Sequence, residues 1–133
     1  MSPMTLLRCA VALAGVVLLP AAPVLADPIQ DCRKEITREQ PDVSVCLSDR
    51  LRIAEAGLVS ADRDKRKNMR ELDQRLGGRS ALQAFERSAQ AFRNYRAAHC
   101  NWWSVRSGRP DLEQKLACEI DLVELRMRTL LLE

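Results

Sequence analysis

The chain is poor in the residues that usually carry chemistry. It has a single histidine, His99, in 133 residues, and no Cys-x-x-Cys pair. Short Cys-x-x-Cys spacing marks many zinc sites, and Cys-x-x-Cys-His marks haem attachment, so neither a metal nor a haem is expected. Aromatic residues make up only 4% of the chain. No run alternates apolar and polar residues as a strand does, and no hairpin dipeptide stands out, which argues against a sheet. There is no internal repeat. Lys and Arg number 21 against 18 Asp and Glu, a formal charge of +3, with both signs interleaved. Nucleic-acid binders concentrate basic residues on one face, so no nucleic-acid partner is expected.

Long apolar runs are also scarce. Cys9–Leu19 (CAVALAGVVLL) is too short to span a bilayer; it follows Arg8 and is itself followed by the small-residue site Val24-Leu25-Ala26. That is the pattern of a secretory signal peptide over residues 1–26, not of a membrane anchor. Leu6-Leu7-Arg8 before Cys9 lacks the small residues of a lipid-anchor site. The expectation is a periplasmic or secreted protein with no stable membrane anchor after processing. Loss of the leader removes one basic residue, Arg8, and no acid, which leaves +2 on a single domain of residues 27–133.

The domain reads as helical throughout. Asp27–Pro41 is polar, bracketed by Pro28 and Pro41, and has no sustained stripe, so an irregular arm is expected there. Over Asp42–Leu76, the positions Leu47, Leu51, Ala54, Leu58, Ala61, Met69, Leu72 and Leu76 fall on one helical face. Gly57 and the basic run Arg63–Lys67 weaken the middle of that helix, and Gly77-Gly78 ends it. Ser80, with Gln83 three residues on, has the capping-box pattern and opens a second helix. Leu82, Phe85, Ala89, Phe92 and Trp103 form its stripe; it closes on Cys100 beside His99 and both tryptophans. Ser107-Gly108-Arg109-Pro110 is a turn, with Pro110 suited to a first helical turn. Asp111–Leu132 is a third helix, with Leu112, Leu116, Ile120, Val123, Met127 and Leu130 in register and Leu122, Leu125 and Leu131 widening the stripe. The predicted architecture is all-α: a small antiparallel three-helix bundle with a disulfide-tethered N-terminal arm.

Four cysteines remain after processing: Cys32, Cys46, Cys100 and Cys118. An even count in a small exported chain reads as two disulfides. An antiparallel pair of helices joined at Ser107–Pro110 would bring Cys100 and Cys118 together, leaving Cys32 to tie the arm to Cys46. Two other pairings are formally open. Each bond would contribute about 3 kcal/mol by loop entropy, which for so small a core is comparable with its net stability of ~5 kcal/mol.

Several of these residues form a pattern. Ala89-Gln90, Phe92-x-x-Tyr95-Arg96-x-x-x-Cys100, then Cys118 and Arg126-x-x-x-Leu130, resemble the lysozyme-inhibitor LprI-type family of small exported helical domains. Asp31-Cys32, Cys46 and Ala54-Glu55…Leu58 match its N-terminal half. The chain departs from that pattern at Phe92, Val123 and Val59–Asp62. The resemblance implies structural roles for Gln90, Phe92, Tyr95, Arg96, Arg126 and Leu130, and a protein partner in the cell envelope, with lysozyme as the target.

Read on their own chemistry, the remaining candidates point to binding rather than catalysis. His99 and Cys100 are adjacent, about 100° apart on a helix, so they do not form a base and thiol pair. Arg96 suits a structural ion pair with Glu119 or another acid of the third helix. Glu124 with Asp121, and Asp62 with Asp64, read as ordinary surface acids. Trp102 and Trp103 cannot both face one core strip. An exposed tryptophan beside Arg106 has the composition of an interface hot spot, with Asp111 and Glu113 next along the chain. A lysozyme target favours an acidic surface, for which Asp111, Glu113, Glu119, Asp121 and Glu124 are the source. The expectation is a non-enzymatic protein-binding domain without cofactor; a structural or assembly factor of the envelope is the alternative.

Overall fold

Asp27 sets the first element. Its carboxylate accepts from the backbone N–H groups of Ile29 (3.0 Å) and Gln30 (3.3 Å), and Pro28 follows at the first helical position, where a missing N–H does no harm. The computed structural model describes residues 27–36 and 42–132. It places four helices there: α1 (Pro28–Glu35), α2 (Val43–Leu76), α3 (Ser80–Val105) and α4 (Leu112–Leu132). There is no strand among the described residues. The leader expected over residues 1–26 lies outside them.

The all-α expectation therefore holds, with one correction. The first part of the expected irregular arm is a helix, so three long helices are joined by a short fourth. Eight residues are too few to show a repeating stripe in sequence. What holds α1 is its cap and the burial of Pro28, Ile29 and Cys32 against α2 and α4. Arg50 of α2 adds ion pairs to Asp31 (3.8 Å) and Glu35.

The 34 residues of α2 are continuous through Arg63–Lys67. Arg63, Asp64 and Lys67 of that run are exposed, with Lys67 4.0 Å from Glu71 one turn on, while Arg66 turns toward α3 and pairs with Glu86 at 2.7 Å. Asp42 caps the start, accepting from the Ser44 N–H at 2.8 Å. Hydrogen bonds from the Ser44 hydroxyl and then its amide hold the Asp42 carboxyl below its ordinary range. Gly57 is a point of close approach: a Cβ there would stand 2.8 Å from the Met127 sulfur of α4. Gly77, with φ +68°, takes the left-handed conformation and closes the helix, and the Gly77 and Gly78 N–H groups return to the Asp73 carbonyl.

The start of α3 differs from the capping-box expectation. Ser80 is already inside the helix, and Arg79 at the cap position makes no side-chain bond. The cap comes from α2 instead. Asp73, 6% exposed, accepts from the N–H groups of Ala81 (2.9 Å) and Leu82 (3.0 Å). At α4, Asp111 accepts from the Gln114 N–H (3.0 Å), so Pro110 precedes the cap rather than filling the first turn.

Two apolar clusters form the core and meet at Leu51. One joins Ile29, Val43, Leu47 and Ile120 around Cys32–Cys46; the other joins Leu58, Phe85, Val123 and Leu130. Leu76 and Leu112, expected on the buried stripes, stand at helix ends and are exposed, as are Leu125 and Leu131. The disulfides are Cys32–Cys46 and Cys100–Cys118, with Cα separations of 5.8 and 5.6 Å. Two such bonds belong to a chain that matures in an oxidising compartment of extracellular type. No helix among the described residues is long and apolar enough to cross a membrane.

Candidate recognition surface

Helical spacing puts Tyr95, His99 and Trp103 one turn apart along α3, with Trp102 and Arg106 on the same side. The rings form a ladder. Tyr95 stacks on His99 at 5.1 Å between centroids, and His99 stacks on Trp103 at 6.1 Å. Trp102 tilts against both His99 and Trp103 at 5.8 Å. The Arg106 guanidinium lies 3.5 Å from the centre of the Trp103 ring. That contact holds a long side chain in place and keeps its charge in water. Trp102 is 58% exposed and Tyr95 53%, while Trp103 and His99 are half-buried. Cys100, fully buried, pins the ladder's helix to α4 through Cys118.

An open cleft of about 510 Å³ lies beside the ladder, between α1, α3 and α4. His99, Trp103 and Arg106 form one wall; Asp27, Ile29, Gln114 and Asp121 contribute to the rest. Asp121 is exposed at the rim, yet its carboxyl is pushed up to about 6. Partial burial is the main cause, followed by the charges of Glu124 and Asp27; Arg128 acts in the opposite sense. The cleft thus sets two carboxylates against one guanidinium.

Of the residues predicted for an interface, Trp102, Trp103 and Arg106 are brought together. Asp111 and Glu113 are not. They border a separate shallow depression with Asp42 and Arg109, where Asp111 is engaged as a cap and Glu113 lies 3.7 Å from Arg33. Glu124, 3.6 Å from Arg128, and Asp121 are neighbours as expected, but Asp121 is not an ordinary surface acid. Asp27 was not identifiable as part of the site, because only the tertiary fold brings α1 to the end of α3. Tyr95 and His99 carried a signal: Tyr95, His99 and Trp103 follow one another at four-residue intervals.

The residues of the family-like pattern gather elsewhere. Glu55, Leu58, Ala89, Phe92, Arg96 and Arg126 line a groove of about 310 Å³ between α2, α3 and α4. Arg96 pairs at 2.9 Å with Glu55 of α2, not with Glu119 or another acid of α4. Asp62, expected at the surface, is half-buried, with its Oδ1 enclosed and without a hydrogen-bond partner. Gln90 points away and donates to Asn94 at 2.9 Å, and Leu130 is core. No protein-family model, curated protein or solved structure matches the chain.

Proposed function

We propose that the chain is an exported, non-enzymatic domain of the cell envelope, released by removal of residues 1–26, that binds a protein through the C-terminal end of α3. The observation that carries this reading is the aromatic ladder. An exposed Trp102 beside a Trp103 held under Arg106 is the residue set that dominates binding energy at interfaces. Bonding into a disulfide-pinned helix holds the rings ready, which lowers the ordering cost of association.

The resemblance to the LprI-type family supports a lysozyme-type muramidase as the partner. Asp27 and Asp121 support it further, because carboxylates bordering the aromatic rings draw in a basic protein. A cell-wall lysis assay with the oxidised protein tests the target. The expected result is inhibition that Trp102→Ala weakens at least tenfold, the scale of a hot-spot loss. No inhibition at micromolar excess removes the muramidase. The neutralisation of Glu113 by Arg33 and Glu124 by Arg128 favours the second reading, an envelope assembly factor without an enzyme target.

A further inference from the structure

The groove between α2, α3 and α4 has a charge pattern that packing alone does not require. Four arginines line it: Arg66, Arg93, Arg96 and Arg126. Arg96 is paired with Glu55 at 2.9 Å and Arg66 with Glu86 at 2.7 Å. Arg93 donates only to a neutral side chain, Gln90, at 2.6 Å. Arg126 has neither an ion pair nor a side-chain hydrogen bond among the described residues. Its guanidinium stands 5.9 Å from the centre of Phe85 and 5.8 Å from that of Phe92, so two rings hold the fork in place. The remaining charged group is Asp62, whose carboxylate also has no ion pair among the described residues. Two unpaired guanidiniums against one carboxylate leave the groove one positive charge in excess.

Asp62 adds a second, independent sign of incompleteness. Its buried Oδ1 accepts nothing. An acceptor enclosed without a donor loses its hydration with nothing in return, so such groups are rare unless something completes them. The apolar side of the groove is Leu58, Ala89 and Phe92.

We infer that this groove binds the carboxyl-terminal end of a peptide or an N-acylated amino acid. The ligand carboxylate takes the Arg126 fork, its amide N–H donates to the Asp62 carboxylate, which turns its enclosed oxygen into the groove, and its apolar side chain lies on Leu58 and Phe92. A single excess charge favours a monoanion over a phosphate dianion, and a planar fork suits a carboxylate in two-point contact. The volume, at the small end of ligand pockets, admits a terminal residue or two and not a folded partner. This site is separate from the aromatic ladder and does not rest on the protein-binding reading.

NMR titration of the oxidised protein with three probes tests the inference. N-acetyl-leucine carries both the carboxylate and the amide N–H; 4-methylpentanoate lacks the N–H; N-acetyl-leucinamide lacks the carboxylate. The expected order of affinity follows that sequence, with the first near Kd ~1 mM and shifts confined to Leu58, Ala89, Phe92 and the Arg126 side chain. Arg126→Gln lowers affinity for N-acetyl-leucine by roughly tenfold, and Arg126→Lys, which keeps the charge and loses the fork, by a smaller factor. Asp62→Ala abolishes the preference for N-acetyl-leucine over 4-methylpentanoate, an effect that a purely structural aspartate would not have. Equal binding of the leucinamide, undiminished binding by both Arg126 variants, or no saturable shift in the groove overturns the inference. A long peptide ending in leucine that binds no better than N-acetyl-leucine assigns the site to free small molecules; tighter binding assigns it to chain ends.

Discussion

Removing the Asp73 carboxylate should uncouple α3 from α2. Asp73 is seven residues before the first residue of α3 and in a different helix, yet it supplies the acceptors that an N-cap side chain normally supplies, bonding Ala81 and Leu82 at 2.9 and 3.0 Å. Bonds to a charged acceptor contribute about 1.5–3 kcal/mol each when buried, and a typical cap about 1 kcal/mol. Ala81 and Leu82 are half-buried, so water can replace part of what is lost. Asp73→Ala is therefore expected to cost about 2.5 kcal/mol, and Asp73→Asn, which keeps one oxygen, about half that. For a domain near 100 residues the alanine variant corresponds to a fall in Tm of about 10 °C or more. Urea unfolding of the oxidised protein, followed by helical circular dichroism, measures it. Ser80→Ala is the matched control. Ser80 makes no cap bond, so its loss should stay within about 0.5 kcal/mol. An Asp73→Ala midpoint within error of wild type, or a larger loss for Ser80→Ala, would refute the cross-helix cap.

Replacing Cys100 and Cys118 together by Ala should cost about 3 kcal/mol in the same assay, since the bond closes a span of 18 residues. Opening Cys32–Cys46 alone should release α1, because eight residues do not hold a helix in isolation; hydrogen exchange would show α1 amides unprotected while α2 to α4 keep their protection. The folded Asp121 carboxyl, raised from 3.8 to about 6, binds its proton more tightly than in the unfolded chain. The contribution of this group to stability should thus be fully present below that window and be lost as pH rises through it; solvent screening of an exposed side chain limits the loss to about 1 kcal/mol. Asp121→Asn should flatten that slope, and an unchanged pH profile of urea midpoints would contradict the assignment. Gly57→Val should cost about 1–3 kcal/mol by pressing on Met127, and Met127→Ala should relieve most of it in a double-mutant cycle.

The long helices were legible because their stripes repeat over many turns, and the residues at Leu47, Leu58, Phe85 and Val123 are buried as periodicity requires. What escaped was whatever depends on contact between elements. Asp73 reads as a surface acid in the last turn of α2 until α3 folds back over it. Gly57 reads as a weak point in a helix, whereas α4 needs its missing Cβ. Arg96 finds its acid on α2 because Glu55, not Glu119, faces the groove. At the recognition surface Trp102, Trp103 and Arg106 were legible as a group and Asp121 as one acid of the third helix. That Tyr95 and His99 join the rings is plain only in the structure, and that Asp27 and Asp121 border the same cleft as Trp103 depends on the packing of α1 and α4 against α3.

All five aromatic residues lie on α3, between Phe85 and Trp103, and their division along it links stability to function. Phe85 and Phe92 face α2 and α4 and hold Arg126 beside them. Tyr95 and Trp102 are left exposed, although large rings are the most effective core-fillers a small domain has. A domain of this size that sets rings outside has less apolar area to bury, and its core is correspondingly weak. The disulfides offset that deficit where it arises: Cys100 lies between His99 and the tryptophans and fixes their helix to α4 without needing the rings as packing. Substituting Trp102 should therefore leave folding stability within about 0.5 kcal/mol while weakening binding at least tenfold, whereas substituting Phe85 should cost about 3 kcal/mol or more. A Trp102→Ala protein that unfolds as readily as Phe85→Ala would mean that the ladder is part of the core and not a surface for a partner.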